Sequence, residues 1–290
     1  MKLVWKFNFV LLVIFLLGYV IAGFVSHRVL QNNAREEIVQ NARLMMEAAL
    51  ASRSYTNTQI KPLLEAQLKY TFLPQTVPAY AATEVFNDLR KTHSDYGYKE
   101  ATLNPTNPRD RAADWEADIV HGFRNAPETK ELVGERDTPG GRSLYLARPI
   151  QITNGACLVC HSTPDAAPRT MLDLYGPANG FGWKMNEVIG AQVVSVPMSV
   201  PIERAGETFK TFMIALTAIF FAAFVILNAS LHFMVIRPVT KLAKVADQVS
   251  LGNFEAGEFK VRGKDEISVL SEALGRMKTS LVQAMKMLET

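Results

Sequence analysis

Cysteine is nearly missing from this 290-residue chain: there are two, Cys157 and Cys160, three positions apart. With no further thiols a wider disulfide framework is excluded, and no second cysteine pair exists to complete a zinc site. An excess of one charge is missing as well. The 31 Lys and Arg against 28 Asp and Glu leave a formal charge of +3. No basic run interleaved with aromatics offers a nucleic-acid face, so no nucleic-acid partner is expected. Glycine is absent from Gln31 to Gln67, which favours an uninterrupted helix there. Fixed charge is absent from Phe7 to Ser26, and between Thr211 and Ile236 the only titratable side chain is His232.

These two uncharged stretches each reach the roughly 20 predominantly apolar residues that a membrane-spanning helix needs. A cleaved signal peptide is the alternative for the first. Its apolar stretch exceeds the usual core of about 7–15 residues and no A-x-A-like site follows, so an uncleaved anchor is expected. Lys2 and Lys6 precede the first span and Arg237, Lys241 and Lys244 follow the second, which by the positive-inside tendency places both termini in the cytoplasm, with Arg28 and Lys210 as weaker counter-signals. The resulting division is an anchor over residues 1–26, an external domain over 27–210, a second span over 211–236 and a cytoplasmic segment over 237–290.

Within the external region, Ile38, Ala42, Met45 and Ala49, then Ile60, Leu63 and Leu64, mark a helical stripe that Pro62 breaks or kinks. Prolines and asparagines between Tyr70 and Pro127 favour turns over regular structure. Trp115, Ile119 and Phe123 predict a second helix over Arg109–Phe123. Alternation over Ser143–Ile152 and the valines of Ala191–Met198 predict strands, with Pro149 and Pro197 confined to edges or ends. The fold class is therefore mixed α+β.

Between the two strands lies Cys157-Leu158-Val159-Cys160-His161, a C-x-x-C-H motif. This spacing lets two thiols reach one edge of a porphyrin while the adjacent imidazole becomes the proximal iron ligand, so Cys157, Cys160 and His161 are the expected haem c attachment residues. A thioredoxin-like pair would want the motif at a helix start in a βαβ context, which Gly155 before it and Ser162, Thr163 and Pro164 after it do not suggest. A local disulfide in an oxidising compartment stays open as an alternative.

Residues around the motif carry a resemblance. After it come Pro164, Ala167-Pro168, Tyr175-Gly176, Asn179-Gly180-Phe181-Gly182-Trp183-Lys184, Val188-Ile189-Gly190 and Val196-Pro197-Met198. Upstream stand Arg53-Ser54-Tyr55-Thr56, Ile60-Lys61-Pro62-Leu63, Asn104-Pro105-Thr106-Asn107-Pro108 and Trp115-Glu116. Over about Asn41 to Pro201 the chain resembles the bacterial c-type haem sensor domains of PAS-like fold. That resemblance implies one covalent haem c in a PAS-like periplasmic sensor domain of a bacterial inner-membrane protein. Members differ in the sixth iron ligand. Here Met46 is the candidate, on a helix face shared with Ala49 and with Arg53, whose guanidinium would reach a propionate; Met45, His93 and His121 compete.

After the second span, Arg237-Pro238 opens a series Val239, Leu242, Ala246 and Val249. A Gly252-Asn253-Phe254 connector follows, and then Ile267, Leu270, Leu274, Met277, Leu281, Ala284 and Leu288 form a heptad seam. With Pro238, Asp265-Glu266-Ile267 and Leu270 in place, this resembles the HAMP module, which implies a helical coiled coil: a parallel four-helix bundle shared by two subunits. Neither helix would bury its stripe alone, so a homodimer is expected on physical grounds too. No kinase, cyclase or nucleotide-binding pattern follows Leu288, so either the signal passes to a separate cytoplasmic partner, which is the expectation adopted, or the native activity is lost or minimal. The expected function is redox or gas sensing, with a membrane-anchored mono-haem electron carrier as the alternative. A single haem without a recognisable distal acid–base group gives no expectation of enzymatic turnover.

Overall fold

The computed structural model describes residues 3–259 and 263–288; Lys2, and the side chain of Leu288, lie outside the described residues. The chain divides into two compact units, Ser26–Phe209 and a second made of Met1–Val25 with Lys210–Thr290. Its elements in order are α1 (Leu3–Tyr55), α2 (Lys61–Leu68), α3 (Pro78–Leu89), β1 (Gly97–Thr102), α4 (Asp114–Asn125), β2 (Leu132–Thr138), β3 (Gly141–Gln151), α5 (Leu158–His161), α6 (Arg169–Tyr175), β4 (Val188–Pro197), α7 (Ser199–Ser230), α8 (Arg237–Ser250) and α9 (Glu266–Leu288).

The first unit is a four-stranded antiparallel sheet in the order β1-β4-β3-β2. Strand alternation sorts its residues onto two faces. On one face Tyr98, Leu144, Leu146, Val194 and Val196 pack against Ile38, Ala42, Met46 and Ala49 of α1 and against Ala82 and Phe86 of α3. On the other, Ala101, Ala147, Ala191 and Val193 pack against Ile119, Val120 and Phe123 of α4. The stripe on α1 passes through Met46 instead of the expected Met45, which is only partly buried. Four residues advance a helix by one turn plus about 40°, so the face set by Ile38 and Ala42 continues at position 46.

Proline reshapes the long helices without ending them. A π-helical turn at Thr56–Ile60 immediately precedes Pro62, and another at Leu231–Ile236 precedes Pro238. Proline cannot donate to the carbonyl four residues back and its ring crowds that group, and a widened turn relieves both. The expected turn-rich stretch between Tyr70 and Pro127 instead holds α3 and β1, because Pro78 sits in the first turn of α3, where its missing N–H costs nothing. The helix expected from Arg109 begins at Asp114. Before it, Pro108–Asp110 forms a 3₁₀ turn and Arg111 is extended.

In the second unit the two apolar helical segments pack antiparallel. Phe15 stacks on Phe220 with centroids 4.9 Å apart, and Thr217 Oγ1 donates to Tyr19 Oη at 3.2 Å. Both helices, Val4–Leu68 and Ser199–Ser250, are long and apolar enough to cross a membrane. Most large apolar side chains along them, such as Phe9, Leu16, Ile219 and Phe221, are exposed, which suits a lipid environment and not water. Beyond them α8 and α9 form a helical pair joined through Gly252, at φ +86°. Asp265 caps α9 by accepting from the Ser268 backbone N–H at 2.9 Å and from its hydroxyl at 2.8 Å.

Candidate functional site

The C-x-x-C-H motif folds as a 3₁₀ turn, Gly155–Cys157, followed by the single turn of α5. Asn154 starts it, its side chain accepting from the Ala156 N–H at 2.9 Å. Three residues on a helical turn bring Cys157 and Cys160 to the same side. Both thiols are free and half-buried, while Val159 between them points out and is 61% exposed. Burial pushes the Cys160 thiol above its usual range despite the opposing charge of Lys61. That environment does not favour the thiolate a redox-exchange pair would use.

His161 follows, and its ring is tightly specified. Nδ1 lies 2.7 Å from the Gly180 carbonyl oxygen. A carbonyl only accepts, so Nδ1 carries the hydrogen and the lone pair of the neutral ring sits on Nε2. Burial lowers the imidazole pKa, against the raising effect of the Gly180 bond. The Trp183 indole covers one face of the ring, with centroids 3.9 Å apart and planes 15° apart. Two backbone bonds hold the same segment to the motif: Gly182 N–H donates to Ser162 at 2.9 Å and Trp183 N–H to His161 at 3.2 Å. Phe181 to Trp183 thus belongs to the site through backbone and ring contacts. The alternation of two glycines with two aromatics, Gly180-Phe181-Gly182-Trp183, was visible in the sequence, but nothing in it indicated which ring they would grip.

The remaining expected site residues lie on the face of the sheet that α1 covers. Met46 is fully buried in the apolar cluster with Leu146 and Val194. Arg53 is ion-paired to the buried carboxylate of Glu100, which also accepts from Tyr98 Oη at 2.7 Å, and Gln192 donates to the same Tyr98 oxygen at 3.1 Å. Sequence reasoning missed Tyr98 and Glu100 because β1 reads as a solvated stretch, and Gln192 because it is an isolated polar residue in a valine-rich strand. His93 and His121 are exposed. An open groove of 590 Å³ on the α4 side, lined by Lys99, Trp115, Arg136 and Ser195 among others, includes none of the motif residues.

A family model for Tll0287-like proteins matches residues 31–197, which takes in the sheet, α1 from Gln31 and the whole motif region. The chain belongs to the Tll0287-like family. A HAMP domain model matches residues 231–283, following the Tll0287-like domain. The crystal structure of the cyanobacterial heme-protein Tll0287 is similar at 15% identity, over 56% of this chain and 95% of that one, with a TM-score of 0.43. No curated protein matches. A Tll0287-like domain followed by a HAMP domain, with two apolar helices flanking the first, is the plan of a signal-transducing sensor at a membrane.

Proposed function

We propose that the chain is an inner-membrane sensor whose Tll0287-like domain carries one covalent haem c outside the cytoplasm and whose HAMP domain relays the signal inside it. The observation that carries this reading is the 2.7 Å contact between His161 Nδ1 and the Gly180 carbonyl oxygen. With Nδ1 committed to Gly180, Nε2 is left as a metal donor, directly after two free thiols placed on one side of a helical turn. Among the described residues no three His, Cys, Asp or Glu side chains gather to hold a metal. Haem c would be held through thioethers from Cys157 and Cys160 and through His161 Nε2. When bound it supplies an iron able to change oxidation state or take up a small gas.

The chain's own residues provide the route onward. The Gly180–Trp183 segment that grips His161 continues through Lys184–Glu187 into β4, where Arg124 ties Glu187 at 3.2 Å and the Val188 carbonyl at 2.8 Å. β4 leads through Met198 into α7, and α7 into the π-helical turn before Pro238 and then α8. A shift in strand position would bias the HAMP helices between two packings. Both termini are assigned to the cytoplasm by the basic residues near them, a homodimer through the HAMP helices is part of this reading, and output passes to a separate cytoplasmic partner.

The test is intact mass and absorption of full-length protein produced with a cytochrome-maturation system. Wild type should carry one haem and the C157A/C160A variant none, and bare polypeptide from wild type would overturn the proposal. Oxidised spectra of the same preparations examine the sixth ligand. If Met46 binds iron, M46A loses the sulfur-to-iron charge-transfer band; an unchanged spectrum leaves the thioether as core filler.

A further inference from the structure

An imidazole bound to a metal can rotate about its Cβ–Cγ bond unless neighbours fix it, and the orientation of its plane decides which metal orbitals it overlaps. Thr106 Oγ1 lies 3.5 Å from Nδ1 of His161, and two further neighbours stand three residues apart on one segment. Gly180 accepts from Nδ1 at 2.7 Å, gripping one edge, and the Trp183 indole lies within 15° of parallel on one face at 3.9 Å. A ring flip would break the first contact, and a smaller rotation would drive the ring out of parallel with the second. Nε2, separated from Nδ1 by Cε1, is left out of the Gly180 contact.

The segment is built to bring both groups to the same ring. Gly180 and Gly182 have φ of +86° and +80°, a region open to glycine and strained for other residues. At Gly180 an added Cβ would also fall 1.9 Å from Thr106 Oγ1. The two backbone bonds from Gly182 and Trp183 to Ser162 and His161 keep the carbonyl and the indole in register with α5. An aromatic filling space alone would not need this backbone register, and stacking with a small interplanar angle is a directional contact.

We propose that Trp183 is a positioning residue for the iron ligand: its indole fixes the rotational setting of the His161 imidazole, and with it the electronic asymmetry at the metal. Trp183 touches His161 and would act through it. This rests on the haem reading above. The test uses full-length haem-loaded protein in detergent, with wild type, W183L and W183F compared by low-temperature electron paramagnetic resonance of the oxidised state and by potentiometric titration. W183L is expected to keep its haem, as checked by mass, but to show shifted or broadened g-values and a moved midpoint potential, while W183F, which keeps a stacking ring, stays close to wild type. A haem-loaded W183L with the wild-type spectrum and potential overturns the proposal. If W183L cannot be loaded, W183F decides: loading with wild-type g-values supports the proposal, and failure to load overturns it. Wild type without haem is a different failure, since it removes the haem reading itself and this proposal with it.

Discussion

Glu100 is 4% exposed, and the cost of keeping its charge there is offset by three groups, Arg53, Tyr98 and, through Tyr98, Gln192. Burial alone would lower the Arg53 pKa, but Glu100 and then Tyr98 outweigh it and the net shift is upward. Burial and the same carboxylate push Tyr98 up as well. Removing one partner of such a pair leaves an uncompensated buried charge, so R53M should destabilise the fold by about 3–5 kcal/mol, whereas the double variant R53M/E100L should recover much of the loss. Denaturant melts followed by circular dichroism would check this; equal losses in the two variants would contradict it. A half-buried carboxyl, Asp110, behaves differently. Burial pushes Asp110 up to about 6 from its ordinary 3.8, with Arg109 opposing and Glu100 adding to the rise. Between those values the folded protein holds a proton that the unfolded chain has released, so stability falls as pH rises through the window and levels off above it. Melting temperatures of wild type relative to D110N should accordingly decline from about pH 4 to about pH 6 and then stay parallel.

Helices and strands here depend on charged residues turned inward. Glu116 in the first turn of α4 accepts from the Ala113 N–H at 2.8 Å and from Lys99 Nζ at 2.6 Å, so one carboxylate both caps the helix and pins it to β1. E116A should cost about 2 kcal/mol by losing cap and ion pair together, and E116Q, whose amide oxygen still accepts from Ala113, should recover about half. Equal melting curves for the two substitutions would show that the cap contributes nothing. Along the opposite edge, Arg43 pairs with Glu131 at 3.0 Å, and Arg148 bridges Glu47 at 2.7 Å and Glu131 at 3.0 Å, which ties α1 to β3 and to the residue just before β2. At the hairpin between β2 and β3, Gly134 lies opposite Tyr145, whose ring passes over the space a Cβ would fill. An edge strand with this much charge resists pairing with another chain.

At the scale of the whole molecule, α8 and α9 do not hide their apolar residues within one chain. Leu242 and Val249 are buried, and α9 turns Ser268 and Ser271 inward, yet Leu270, Met277 and Leu281 remain exposed, the last at 43%. These three belong to the heptad seam, and in the proposed homodimer a second copy would cover it. L281E should therefore shift detergent-solubilised protein from dimer toward monomer in light scattering coupled to size exclusion. An unchanged dimer would place the interface elsewhere. Because the transmembrane helices would bring two copies close in a membrane, the effect should be larger in detergent than in the bilayer.

The sequence by itself determined the features set by local chemistry. Two uncharged stretches long enough to cross a bilayer, a C-x-x-C-H spacing, proline at the start of a heptad series and valine-rich β4 each express a period or composition that no tertiary contact has to reveal. Only the tertiary structure decided the rest. β1, reading Gly-Tyr-Lys-Glu-Ala-Thr, and β2, reading Leu-Val-Gly-Glu-Arg-Asp-Thr, look like solvated turns because charged residues such as Glu100, Lys99 and Glu135 find their partners only when Arg53, Glu116 and Arg35 arrive from other elements of the chain. The choice of Met46 over Met45 for the core, and the meeting of His161 with Gly180 and Trp183, likewise depend on how helix and loop are laid against the sheet. Periodicity records which face of an element is apolar; which partner a buried charge or an imidazole finds is settled by distances between remote segments, and those exist only in the folded chain.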